Sequence, residues 1–385
     1  MQDCLATGPG SAILGSLLFS ALLLPSMSAK FLLRVAGTLL LAWAAAAACV
    51  ALHTPLPWML GPLVATSVLS MAGAPTESWG PLRNGGQWAI GAALGLYFTP
   101  EVSALVGSLW WAIVLGIGWA LLLGWGFGAW LYRLHAPRMH GVPASMLRST
   151  SYFAGAIGAA SEMTLLSERE NARTDLVAAS HSLRLLIVTI TIPFALQWSG
   201  LQGLDILTPT VRDVSWPGLA LLALLTGAGA LVMDRLGRAN PWFMGAMLVS
   251  MAVTMAGLHL SAVPQALVNA AQLVIGVSLG VRFRAEFLHT APRWLASVAV
   301  GTLGLMGICA AFAAVLAWAT GLPWVTLLLG TSPGGITEMA ITAKVLQLGV
   351  PVVTAFQVCR LIAVLMLVGP MFRRIYPPTE GGSAI

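Results

Sequence analysis

Apolar residues run through this chain in long blocks, and polar residues gather in short clusters between them. The blocks at 31–52, 102–131 and 293–318 each reach or exceed the roughly 20 residues that cross about 30 Å of hydrocarbon. The pattern predicts a helix over 31–53, a second opened by Pro57-Trp58 over 57–73, and a glycine-rich helix near 82–98. A long helix over 103–131, an interrupted segment over 142–166 and a helix over 174–198 follow.

The same series then recurs. Pro57-Trp58-Met59-Leu60-Gly61 returns as Pro241-Trp242-Phe243-Met244-Gly245, and the stretch from Gln87 to Gly95 returns from Gln272 to Gly280. Phe98 and Glu101 match Phe283 and Glu286, and Ser161-Glu162-Met163 matches Thr337-Glu338-Met339. Arg184 and Arg360 follow their glutamates at one spacing. So many matches in one order imply a duplication, with repeats over 30–200 and 216–376 and a linker at 201–215. Residues 1–29 read as a leader or an extra short helix, and 377–385 as a tail. If each interrupted segment dips in and returns, a repeat has five crossings and its copy is inverted. Lys30, Arg34, Arg133, Arg138, Arg235, Arg238, Arg373 and Arg374 then share the cytoplasmic side, as the positive-inside rule requires. The expected architecture is therefore all-α and integral to the membrane. It has two inverted repeats of about five transmembrane helices, each with an interrupted or re-entrant hairpin. A multi-pass protein of the bacterial inner membrane follows, with the repeat start and the C-terminus cytoplasmic.

Composition agrees. Only 8% of residues are charged against 58% hydrophobic, where a soluble domain carries about 25% charged residues. The formal charge of +6 does not imply nucleic acid, because the arginines sit at the ends of apolar runs and form no basic stripe. Cys4, Cys49, Cys309 and Cys359 are too scattered for a disulfide framework or a metal site. The apolar stretch at 11–24 is preceded by Asp3 rather than by a basic region, which argues against a cleaved signal.

Charge inside the apolar segments is rare and arranged by repeat. Glu162 and Glu338 are the acids, Arg184 and Arg360 the deepest bases. A charge at bilayer depth costs about 2.5–3.5 kcal/mol on insertion scales, so all four require partners. Two readings stand side by side. Each glutamate neutralises an arginine as a buried structural pair. Alternatively, an arginine faces a cavity and takes an anionic group while a glutamate binds a coupling cation or a proton. The stretch Gly330-Thr331-Ser332-Pro333-Gly334-Gly335-Ile336-Thr337-Glu338 interrupts its helix and frees backbone groups beside hydroxyls. It suits either a site for ions at membrane depth or a surface loop that starts a helix with Ser-Pro. Its first-copy counterpart has Ile157 in place of Pro333 but keeps Ser151 and small residues. Gln357 lies one turn before Arg360, where the first copy has His181. Gly91 and Gly95, like Gly276 and Gly280, suit close helix packing, and Gln87 and Gln272 either cap their helices or face a cavity.

At Pro57–Gly61, Gly86-Gln87 through Thr99-Pro100-Glu101, Ser332 to Met339, Gln357 and Arg360 the chain resembles the AbrB-type membrane proteins with internal duplication. This family is distinct from the small DNA-binding transition-state regulators of the same name. The resemblance implies a duplicated membrane protein. Members are often labelled ammonia monooxygenases, but an oxygenase needs clustered histidine ligands. His53, His135, His140, His181, His259 and His289 show no pair at helical spacing, so no enzyme, metal site or cofactor is expected.

Inverted repeats with broken helices are the architecture of secondary transporters. The leading expectation is therefore an H⁺- or Na⁺-coupled carrier of a small anionic or zwitterionic organic solute. Arg360, Gln357, Thr331, Ser332, Gly334, Gly335 and Thr337 would bind the solute with Arg184 and Ser151, and Glu338 and Glu162 would couple. The alternative is a membrane regulator or sensor that binds a metabolite without moving it. Partners are the lipid bilayer, the solute and its ion, with a homodimer compatible and nucleic acid excluded.

Overall fold

The computed structural model describes residues 28–139, 141–200, 213–283 and 291–377. Most of the expected leader, of the linker and of the tail lie outside them, as do Cys4, His140, Arg284, Glu286 and His289. The described residues form fifteen α-helices. In the first repeat these are α1 (Ala29–Ala51), α2 (Pro57–Met71), α3 (Gly80–Gly95), α4 (Pro100–Ser108), α5 (Trp110–His135), α6 (Ala144–Gly155), α7 (Ala160–Arg169) and α8 (Thr174–Ser199). The second contributes α9 (Trp216–Arg235), α10 (Pro241–Met255), α11 (Gln265–Gly280), α12 (Pro292–Thr320), α13 (Trp324–Thr331), α14 (Ile336–Val345) and α15 (Val350–Ile375).

Local chemistry sets the boundaries. Ser28, Thr99 and Ser215 each accept a backbone N–H from the first turn of the helix they cap. Pro57, Pro100, Pro241 and Pro292 occupy first-turn positions, where a missing N–H costs nothing. Gly321 closes α12 in the left-handed conformation. Helices α1, α5, α8, α9, α12 and α15 are long and apolar enough to cross a bilayer, so the protein is a multi-pass membrane protein. The apolar helices α2, α10 and α11 have 15–16 residues and rise only about 22–24 Å. One expectation needs correcting. Residues 103–131 are not one straight helix. Thr99-Pro100 starts α4, which bends by 90° from α3, and α5 begins anew at Trp110.

The helices sort into two bundles that draw on both repeats. In the first, α3 packs on α10, α11 on α2, α1 on α2, and α9 on α10. Its closest contacts run through glycine. A methyl group on Gly95 would lie 2.6 Å from Met247 O, and one on Gly276 would lie 2.5 Å from Met59 O. Gly91 faces Phe243 O and Gly280 faces Leu63 O in the same manner, so each glycine-rich helix lies against the Pro-Trp helix of the other repeat. The second bundle holds α5–α8 and α12–α15, with α12 on α8 and α15 on α5. Between the bundles, α14 approaches α3 and α4 touches both α10 and α15.

Candidate functional site

The second bundle contains two broken helices, α6–α7 and α13–α14. In α13–α14, Pro333 has no N–H, so the carbonyl of Leu329, four residues earlier, loses its helical donor. Gln357 supplies it, with Nε2 donating to Leu329 O at 2.7 Å and more weakly to Ser332 O at 3.4 Å. One turn further along α15, Arg360 Nη1 donates to Ser332 O and Nη2 to Gly334 O at 2.8 Å. The break in α6–α7 has no proline, yet it is held in the same way. His181 Nε2 lies 2.9 Å from Phe153 O, the equivalent of Leu329 O. Arg184 donates to Ala154, Gly155 and Ala156 carbonyls at 3.4, 3.3 and 2.7 Å. Arg184 Nη2 also meets His181 Nδ1 at 2.8 Å, which assigns the imidazole proton to Nε2. Both arginines thus face the negative end of a half-helix dipole and take up carbonyls that the break leaves without a helical donor.

This disposes of one reading of the intramembrane charges. Neither glutamate pairs with the arginine of its own repeat; the ion pairs among the described residues are Arg34–Glu77, Arg173–Asp175 and Arg373–Glu170. Glu162 and Glu338 instead occupy the first turns of α7 and α14, the positive ends of their half-helices. Glu338 is 7% exposed and folds back so far that any side chain at Gly335 would strike its Oε2.

The two breaks meet at a cavity of about 380 Å³ between the bundles, within the usual range for small-molecule sites. The second bundle contributes Gly158 to Glu162, His181, Arg184, Pro333 to Glu338 and Arg360. The first contributes Arg83, Asn84 and Gln87 from α3, Asp234, Arg238 and Trp242, and Ser278 and Arg282 at the end of α11. Ile275, Leu279, Ile336 and Leu361 provide apolar wall. Two larger recesses, of about 530 and 750 Å³, lie on α1, α3, α9 and α11, but apolar residues line them almost throughout and no charged group reaches either.

Of the residues singled out from sequence, Arg360, Arg184, Gly334, Gly335, Thr337, Glu338 and Glu162 line the cavity. Gln357, Thr331, Ser332 and Ser151 lie buried outside the lining. The Thr331 hydroxyl donates to Leu327 O, and that of Ser332 to Leu329 O, while Ser151 Oγ has no partner among the described residues. Gln87 faces the cavity whereas its equivalent Gln272 is buried elsewhere. Sequence reading passed over Arg83, Arg238 and Arg282, which had counted at most as topology signals. Among the described residues no three His, Cys, Asp or Glu side chains cluster as metal ligands.

Comparison with known proteins gives one family. Residues 58–376 match the family model described as "Transition state regulatory protein AbrB". The Escherichia coli (strain K12) protein named "Putative regulator AbrB" is 26% identical over 329 residues, covering 84% of this chain and 91% of its own length. The Bacillus subtilis (strain 168) protein "Uncharacterized protein YhjN" is 24% identical over 346 residues, covering 83% of this chain and 87% of that relative.

Proposed function

The chain belongs to the AbrB family of membrane proteins, and from that premise we propose that it is a secondary transporter of a small anionic or zwitterionic organic solute, coupled to H⁺ or Na⁺. The observation that carries the reading is the cavity at which both broken helices end, between two bundles. Broken helices at membrane depth are energetically tolerable only where protein or an aqueous cavity takes up their free backbone groups.

An inverted duplication fits the same geometry. The start of α3 and the end of α11, which are repeat equivalents, border one cavity, so equivalent helices run in opposite directions. Each α6–α7 or α13–α14 pair then acts as a re-entrant hairpin, entering from opposite faces. The positions of Arg34, Arg133, Arg235 and Arg373 support a bacterial inner-membrane protein with the repeat start and C-terminus cytoplasmic. The cavity then opens towards the cytoplasm, beside Asp234 and Arg238. Rocking of the hairpin bundle against the first bundle gives alternating access, and the first bundle offers the fixed surface on which a homodimer would form.

Cavity-lining arginines favour an anionic group, and Glu338 and Glu162 are the groups placed to carry a proton or hold a cation. The relative named as a regulator favours a second reading, in which the same cavity senses a metabolite and signals to a partner. Uptake of labelled carboxylates and amino acids into proteoliposomes, driven by a pH or Na⁺ gradient, separates the two. Gradient-driven uptake that Glu338→Gln uncouples is expected. Saturable binding with no flux for any solute that binds would establish the sensor reading instead.

A further inference from the structure

Most charges on the cavity wall already face an opposing field. Arg184 and Arg360 hold the carbonyl ends of α6 and α13. Glu162 and Glu338 occupy the positive first turns of α7 and α14. Asp234 and Arg238 are exposed at the cavity rim, where water takes up their charge.

Two groups are left over, and both belong to the first bundle. The guanidinium of Arg282, just past the end of α11, forms no hydrogen bond or ion pair with any described residue and lies within electrostatic reach of Arg83 and Glu338. Among the described residues the side chain of Arg83, in the first turn of α3, bonds only the Asn84 side-chain oxygen at 3.5 Å, and its Nε is buried without an acceptor. Two like charges in a partly desolvated cavity repel, and most of their side-chain donors lack acceptors among the described residues; an anion between them relieves both costs.

We propose that Arg83 and Arg282 form a guanidinium clamp for the carboxylate of a small organic anion or zwitterion. The proposal rests on the cavity being the solute site and names the group that recognises the solute there. Two guanidinium forks present parallel N–H donors that match the two oxygens of a carboxylate. Glu338, close to Arg282, disfavours a doubly charged phosphate and favours a single carboxylate, with the ammonium of a zwitterion turned towards the glutamate. The apolar wall of Ile275, Leu279, Ile336 and Leu361 suits a short carbon skeleton.

The test uses the full chain in detergent and reads thermal unfolding with acetate, succinate, L-alanine and L-glutamate as probes. Inorganic phosphate and phosphatidylglycerol serve as the competing anion sources. At least one carboxylate is expected to raise the unfolding temperature. Arg83→Gln and Arg282→Gln should each weaken its binding about tenfold or more, since each removes charge-assisted bonds. Lysine at either position should restore part of the affinity, and Arg34→Gln, remote from the cavity, should leave it unchanged. A clamp also requires that each glutamine variant unfold at a higher temperature than the wild type when no anion is present, because repulsion has been removed. A merely structural arginine would do the reverse, so lower unfolding temperatures in both variants overturn the proposal. Wild-type protein indifferent to every carboxylate overturns it too, as does an arginine-dependent response to phosphate or phosphatidylglycerol alone. Arginine-dependent carboxylate binding without flux would leave the clamp standing and defeat transport. Flux indifferent to both arginines would do the opposite.

Discussion

Replacing Arg360 by methionine removes the Nη2 donor to Gly334 O and the shorter of the two side-chain bonds to Ser332 O. A hydrogen bond from a charged donor contributes about 1.5–3 kcal/mol in soluble proteins. Within membranes, measured side-chain bonds average nearer 0.6 kcal/mol, because the separated helices find other partners. Here the alternative partner is missing, since Pro333 prevents the segment from re-forming a continuous helix. The higher range therefore applies in part, and we expect Arg360→Met to destabilise the α13–α14 break by about 2–4 kcal/mol. At about 1.4 kcal/mol per factor of ten, local opening becomes roughly 30- to 1,000-fold more frequent. Hydrogen exchange by mass spectrometry reads this directly in peptides spanning residues 329–338. The α6–α7 break is an internal control, because Arg184 and His181 still hold it. Arg360→Lys should fall between wild type and methionine, since one ammonium can satisfy one carbonyl well but not both. Wild-type exchange across 329–338 in the methionine variant would refute the assignment of Arg360 as a backbone clamp.

Gly276→Ala should cost about 1–3 kcal/mol in thermal unfolding, because its methyl group would meet Met59 O at 2.5 Å. Gly118→Ala, with nothing within 4 Å, should be neutral or stabilising by up to about 1 kcal/mol. Trp88→Phe loses the 2.9 Å bond from the indole to Thr226 Oγ1 and should destabilise by about 1 kcal/mol, detectable by the same unfolding assay. Tyr152→Phe breaks the 2.9 Å bond from its hydroxyl to Val368 O, which ties α6 to α15, with a similar expected loss.

The elements were legible where backbone chemistry is local. Pro-Trp starts, serine and threonine caps and the Pro333-Gly334-Gly335 interruption mark their own positions. The α6–α7 break was less visible, because nothing within residues 153–159 forbids a helix. Its carbonyls are drawn off by His181 and Arg184, about thirty residues away. Sequence symmetry paired Arg184 with Arg360 correctly, but not their partners: burial made a glutamate the natural choice, and the free carbonyls of a broken helix took its place. Arg83 and Arg282 escaped notice for a different reason. Each lies near the end of an apolar run, where a topology signal is the ordinary reading, and only the arrangement of α3 beside α11 brings them to one wall.

The exchange of glycine grooves between repeats has a consequence for synthesis. Gly91 and Gly95 are filled by Phe243 and Met247, which leave the ribosome roughly 150 residues later. At about 5–20 residues per second, α3 sits in the bilayer for roughly 8–30 s before its packing partner exists. During that interval the groove is open to lipid tails, and α10 has to displace them as it inserts. A ribosome that stalls between the repeats leaves an unfinished half with a bare glycine face, which membrane quality control can recognise.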